Sequence, residues 1–233
     1  MNKGTGMTKQ LYGPFGTVVD RMIRRSVAKR FHTVYWRPPE YPFPRPFVAV
    51  ANHSGWFDGY LMYHAMTELR APFLMWIQEF KAFPLFGKAG GMPFDPHNTQ
   101  ERASTIRRSI RMMRSDGRGL VLFPEGELHY PGVNMAFGAS LEFVARKVGS
   151  CPVIPIAISY EHAMHERPEA FITFGDPLEY SASICEGARI AVANLLVENN
   201  WRIRTELGSF KILARGTKDV NERWDVRQSP FSR

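Results

Sequence analysis

At 233 residues the chain is long enough for one domain with its own core, and its 44% hydrophobic and 22% charged residues are ordinary for a globular protein. Thirty Lys and Arg against 22 Asp and Glu leave a formal charge of +8, which favours polyanionic partners such as anionic lipid headgroups, nucleic acid or an acidic carrier protein. Two cysteines exclude a disulfide framework and a four-cysteine metal site and favour a reducing location, no apolar run reaches the roughly 18 residues of a membrane span, and Met1 to Gln10 does not read as a secretory signal.

In chain order, Phe15, Val18, Val19, Met22, Ile23, Val27, Phe31 and Val34 recur at spacings of three and four, which predicts a helix over Phe15 to Tyr35. Arg21, Arg24, Arg25 and His32 fall largely on the other side, with Lys29 and Arg30 at the flanks. Such a basic amphipathic helix either lies in a bilayer interface or packs on its own domain with a solvated basic face. Pro38, Pro39, Pro42, Pro44 and Pro46 then predict an extended connector.

Strands and helices alternate beyond it. Phe47 to Ala51 predicts a buried strand, Asp58 to Leu69 a helix and Phe73 to Ile77 a further apolar run. Asn98, with Glu101 three residues on, caps an arginine-rich helix that ends at Asp116-Gly117. Leu120 to Phe123, Val153 to Ser159 and Phe171 to Phe174 read as strands, and Met135 to Val148 and most of Ser181 to Leu207 as helices. The alternation predicts an α/β fold, a mixed sheet flanked by helices. It divides the chain into a helical segment at 1–37, a connector at 38–46, a main domain at 47–208 and a basic tail at 209–233.

Two strand exits carry the chemistry. Asn52-His53-Ser54-Gly55-Trp56-Phe57-Asp58 leaves one buried strand and enters a helix. Neutral imidazole takes a proton near pH 7, and an aspartate five residues on, across a turn, can fold back to its far nitrogen and fix the tautomer. No Gly-x-Ser-x-Gly elbow is present and neither cysteine lies in a nucleophile motif, so a His53–Asp58 pair suits direct transfer to a second substrate's hydroxyl. On its own such a pair also arises by chance, and a strand-end histidine is often simply hydrogen-bonded structure. Leu122-Phe123-Pro124-Glu125-Gly126-Glu127 leaves a second strand through a tight turn that presents Glu125, either to substrate hydroxyls, to a neighbouring group or to solvent.

Together these stretches resemble the glycerophospholipid acyltransferase family, of the 1-acylglycerol-3-phosphate type. Its signature is Asn-His, four residues, Asp, then Phe-Pro-Glu-Gly some seventy residues on, matched here by Asn52, His53, Asp58 and Phe123, Pro124, Glu125 and Gly126. Phe80 to Gly87 and Cys151 to Ala157 resemble two further family segments, so the likeness runs from Phe47 to Leu178. The resemblance implies His53 as general base, Asp58 as its orienting partner, and Asn52 with Phe123 to Gly126 in acceptor binding. It implies no metal and no cofactor, with acyl-coenzyme A or acyl carrier protein as donor substrate. It implies a peripheral enzyme on the cytoplasmic face of a membrane, docked by the 1–37 helix, with 47–208 as the acyltransferase domain and with membrane lipids rather than nucleic acid as partners.

Two positions depart from the pattern. Gly91-Met92-Pro93-Phe94-Asp95-Pro96 holds proline where the family carries a phosphate-binding arginine, and Glu127-Leu128 stands where Thr-Arg is usual. Neither proline nor leucine replaces a bidentate guanidinium, and Glu127 repels phosphate. Arg102, Arg107 or Lys88 are the candidates to compensate. Acylglycerol phosphate is the expected acceptor and a non-phosphorylated lipid alcohol its competitor; a non-catalytic lipid-binding protein, a hydrolase and a nucleic-acid-binding protein are the further alternatives, the last without any recognisable binding motif. His97, His129, His162 and His165 show no i, i+4 metal pair, and His129, just after Phe-Pro-Glu-Gly, reads either as an acceptor contact or as a surface turn.

Overall fold

The computed structural model describes residues 4–132, 136–149 and 151–223, with side chains from residue 16 onward. The chain runs α1 (Gly4–Arg30), β1 (Thr33–Arg37), β2 (Val48–Ala51), α2 (Asp58–Glu68), β3 (Phe73–Ile77), a 3-10 turn (Pro84–Ala89) and β4 (Gly91–Pro93). It continues through α3 (Thr99–Asp116), β5 (Gly119–Leu122), α4 (Ser140–Val148), β6 (Val153–Glu161), β7 (Glu169–Phe174), α5 (Ile184–Thr205), a second 3-10 turn (Leu207–Ser209), β8 (Lys211–Arg215) and α6 (Val220–Arg223).

The eight described strands form one mixed sheet in the order β4-β3-β5-β2-β6-β7-β1-β8. From β4 to β6 every neighbouring pair is parallel. β7 turns back antiparallel to β6, β1 runs parallel to β7, and β8 closes the edge antiparallel to β1. Because successive strand residues face opposite sides, each central strand feeds two apolar layers. Ala49, Ala51 and Val121 face a layer with Leu61, Met62 and Met66 of α2 and Val19, Ile23 and Val27 of α1. Val48, Val50, Leu120 and Leu122 face another, with Met113 of α3, Leu141 and Val144 of α4, and Ala188 and Val192 of α5. Asn98 Oδ1 accepts from Glu101 N–H as the first turn of α3 begins, and Gly117 ends that helix with a left-handed φ of 62°.

Several boundaries differ from the expected ones. The N-terminal helix stops at Arg30, and Thr33–Arg37 is a sheet strand rather than helix. Val34 continues the helical spacing by coincidence; in the run Thr33-Val34-Tyr35-Trp36, β-branched and aromatic residues favour a pleated surface, and Val34 and Trp36 are buried in it. Residues 211–215 are not tail but an edge strand, and a short helix follows at 220–223. Helix α4 begins at Ser140 instead of Met135, which itself lies outside the described residues, as does 224–233. The α1 stripe Val19, Ile23, Val27 packs on the domain, while Val18 and Met22 remain exposed beside Arg21 and Arg25. No described helix is long and apolar enough to cross a membrane.

Candidate active site

Parallel neighbours end on the same edge of a sheet, and ligands of such sheets gather outside those ends. β2 and β5 are parallel neighbours with Val50 opposite Leu122. Three residues past each of those partners stand His53 and Glu125, and the pairing carries on into side-chain contact: His53 N–H donates to Glu125 Oε2 at 2.6 Å. β6, on the other side of β2, brings Tyr160 to the same edge.

Asp58 opens α2 and is fully buried. Its Oδ2 lies 2.9 Å from His53 Nδ1 and accepts from Gly55 N–H at 2.9 Å, while its Oδ1 accepts from the Tyr160 hydroxyl. A carboxylate only accepts, so Nδ1 carries the ring proton and Nε2 is the basic nitrogen. Burial, with the neighbouring Asp58 charge, pushes Tyr160 well above the ordinary phenol range, so its hydroxyl stays a donor. A Cβ on Gly55 would run into the Tyr160 ring, which explains glycine in that turn. The His53 ring stacks on Phe123 with centroids 4.4 Å apart and planes 22° apart.

The Phe123–Gly126 turn is held from three sides. Gln78 donates to the Gly126 carbonyl at 2.6 Å, Gly138 N–H to the Pro124 carbonyl at 2.8 Å, and His129 N–H to the His53 carbonyl at 3.1 Å. His129 turns inward rather than to solvent: its side chain is 11% exposed and its Nε2 lies 2.8 Å from Glu125 Oε2. Burial acts to lower its pKa, and the Tyr130 carbonyl with the Glu125 and Glu127 carboxylates outweighs it, so the net shift is upward.

A cavity of about 480 Å³ opens beside this cluster. His53, Phe123, Pro124, Glu125 and Gly126 line it, and its far walls are Tyr60, Phe73, Met75, Phe86 and Phe94. Its polar rim holds Gln78, Glu79 and Glu127, and no Lys or Arg reaches it among the described residues. Arg102, a candidate to compensate for the missing arginines, donates instead to the Pro96 carbonyl at 3.2 Å.

Asn52 is the expected acceptor contact that the geometry takes elsewhere. It is buried, off the cavity lining, and its amide pairs both ways with the backbone of Ile158: Nδ2 donates to the carbonyl at 2.9 Å and Oδ1 accepts from N–H at 2.8 Å. It clamps β2 to β6. Tyr160 is the site residue that sequence reasoning missed; it stands 102 positions from Asp58, outside any motif. Neither cysteine offers a thiolate, since burial pushes Cys151 up to about 12 and raises Cys185 as well.

Residues 36–159 match the family model described as Acyltransferase. Over 139 residues the chain is 28% identical to 1-acyl-sn-glycerol-3-phosphate acyltransferase of Streptococcus pneumoniae (strain ATCC BAA-255 / R6). That alignment covers 58% of this chain and 51% of the relative, so the chain spans about half the length of the protein it matches. The fold is similar to the crystal structure of the 1-acyl-sn-glycerophosphate acyltransferase PlsC from Thermotoga maritima, with a TM-score of 0.56, 19% identity, and coverage of 81% of this chain and 80% of that one.

Proposed function

The chain belongs to the acyltransferase family, and from that premise we propose that it moves a fatty acyl group from acyl-coenzyme A or acyl carrier protein to the hydroxyl of a lipid acceptor, with His53 as general base. The observation that carries this is the chain of contacts Tyr160–Asp58–His53 ending at an apolar cavity. His53 Nε2 takes the acceptor proton as the hydroxyl oxygen adds to the thioester carbonyl. The tetrahedral intermediate collapses, the C–S bond breaks, and the imidazolium returns its proton to the leaving thiolate. Asp58 keeps the ring in one tautomer and balances its transient charge. The aromatic walls suit an acyl chain, and Glu125 holds the His53 backbone while facing the acceptor end.

Kinship suggests an acceptor of the 1-acylglycerol-3-phosphate type. A second reading, a lipid alcohol without a phosphate monoester, is favoured by the cavity itself: Glu79, Glu125 and Glu127 line it without a single Lys or Arg among the described residues. Exposed Val18, Met22 and Leu85 alongside Arg21 and Arg25 support docking of the α1 side on an anionic membrane surface. The test is turnover of a labelled acyl-coenzyme A against phosphorylated and neutral lipid alcohols. His53→Ala is expected to lose about 10²–10⁴ in rate with its circular dichroism intact. Full activity in that variant would remove the assigned base, and strong preference for a phosphate monoester would remove the second reading.

A further inference from the structure

His32 follows α1, His165 lies in the β6–β7 connection, and Asp219 and Glu222 belong to the segment bearing α6. Fold topology brings one ligand atom from each of these four residues within 4.8 Å of the others. We propose that they form a structural site for one divalent first-row transition ion, with zinc as the reference metal.

Three observations carry this. First, charge is unbalanced: Glu169, Asp219 and Glu222 surround the two rings, and no described Lys or Arg pairs with any of the three. Nearby Arg167 and Arg223 reach Glu166 instead. Protonating both rings would stack two cations with centroids 3.5 Å apart, whereas one divalent ion neutralises the carboxylates without that repulsion. Second, the donor set is two imidazoles and two carboxylates: His32 Nε2 is 2.9 Å from Glu222 Oε2 and His165 Nδ1 is 2.7 Å from Asp219 Oδ2. Third, the opposite nitrogens face a shared carboxylate, which a small shift would bring into hydrogen-bond range. His32 Nδ1 is 3.8 Å and His165 Nε2 3.6 Å from the same Glu169 Oε1, and Thr33 Oγ1 lies 3.1 Å from His32 Nδ1, which is how ligating histidines are usually oriented.

Binding asks for a small rearrangement. Tetrahedral zinc with bonds of about 2.0–2.1 Å places its ligand atoms roughly 3.3 Å apart, so pairs now up to 4.8 Å apart must close by up to about 1.5 Å while the His32–Glu222 and His165–Asp219 contacts, at 2.9 and 2.7 Å, open by about half an ångström. A ring nitrogen's lone pair lies in the ring plane, so the two imidazoles must also open from their 9° stack. Four protein ligands leave no open position, which makes the site a staple joining the end of α1, the β6–β7 connection and the α6 segment.

The test uses the full chain, stripped with chelator, desalted and titrated with zinc alone by calorimetry, with elemental analysis for stoichiometry and cobalt(II) as the visible-absorption probe. One equivalent is expected, together with a four-coordinate cobalt spectrum and a folded-to-unfolded ratio raised about a hundredfold at zinc one hundred times its Kd. His165→Ala is expected to abolish this binding, while His53→Ala keeps it. No zinc binding by the wild type, or equal binding by His165→Ala, overturns the site. Should His165→Ala fail to fold, Glu222→Gln and Asp219→Asn decide: each is expected to bind at least about tenfold more weakly, and unchanged affinity in both rejects the proposal.

Discussion

The Asp58 carboxylate is the residue on which the site's geometry turns. Fully buried, it draws on the His53 ring, the Gly55 amide and the Tyr160 hydroxyl, so the imidazole has little freedom to rotate away from the cavity. Under the proposed mechanism Tyr160 is therefore a positioning residue. Tyr160→Phe removes one donor from a buried carboxylate and is expected to cost about 1.5–3 kcal/mol of stability. It should lower kcat while leaving the acceptor KM close to wild type, because the phenol does not line the cavity. Steady-state kinetics beside chemical denaturation check both; a raised KM at unchanged kcat would place the hydroxyl in acceptor binding instead. Asn52 calls for the opposite comparison. Asn52→Ala strands the Ile158 amide and carbonyl, so the expected loss is about 1–3 kcal/mol in unfolding free energy, again with acceptor KM preserved. Unchanged stability with a raised KM would restore it as an acceptor contact.

At the scale of elements, β8 shows how a basic, exposed segment can still be structural. It covers one edge of β1, and without it the β1 backbone groups on that side stand unpaired beside buried Val34 and Trp36. A chain cut after Ser209 is expected to lose soluble monomer and to aggregate, which size-exclusion chromatography reads directly. A soluble monomeric product would mean that the strand is dispensable. Legibility in the sequence divides along the same line. Strands β2 and β5 are short, charge-free runs that lead straight into motifs, so they and the strand-exit places of His53 and Glu125 could be read from order, while the pairing of His53 with Asp58 and the role of Glu125 came only with the family resemblance. The capped, glycine-terminated α3 was equally readable. Strand β1 was hidden because Val34 extends a helical spacing, and β8 because Lys-Ile-Leu-Ala-Arg has the polar ends of a tail. Tyr160 and the inward turn of His129 depend on which strands become neighbours, and local pattern does not encode that.

For the molecule as a whole, the +8 charge sits on a core that holds an uncharged imidazole. Burial, helped by the Arg24 charge, pushes His64 down to about 3. An unfolded histidine protonates near pH 6.5, so between those values the unfolded chain binds the extra proton. The stability that neutral His64 supplies is complete above about 6.5 and is lost as pH falls toward 3, at up to about 1.4 kcal/mol per pH unit. His129 acts in the other sense: its raised pKa contributes stability in acid that disappears as pH rises through its folded value. Urea denaturation from pH 4 to 7 should show steeper acid destabilisation in wild type than in His64→Leu, and parallel curves would contradict the assignment.

The matched steps of His53 and Glu125 beyond the paired strands β2 and β5 have an evolutionary corollary. The loops between them, beyond Asp58 and outside β3, can lengthen or shorten without moving imidazole relative to carboxylate, because the ladder sets their spacing. One residue inserted within either strand would instead turn its functional side chain to the opposite face of the sheet. Length variation among kindred chains should therefore gather in the intervening loops and spare these two short strands.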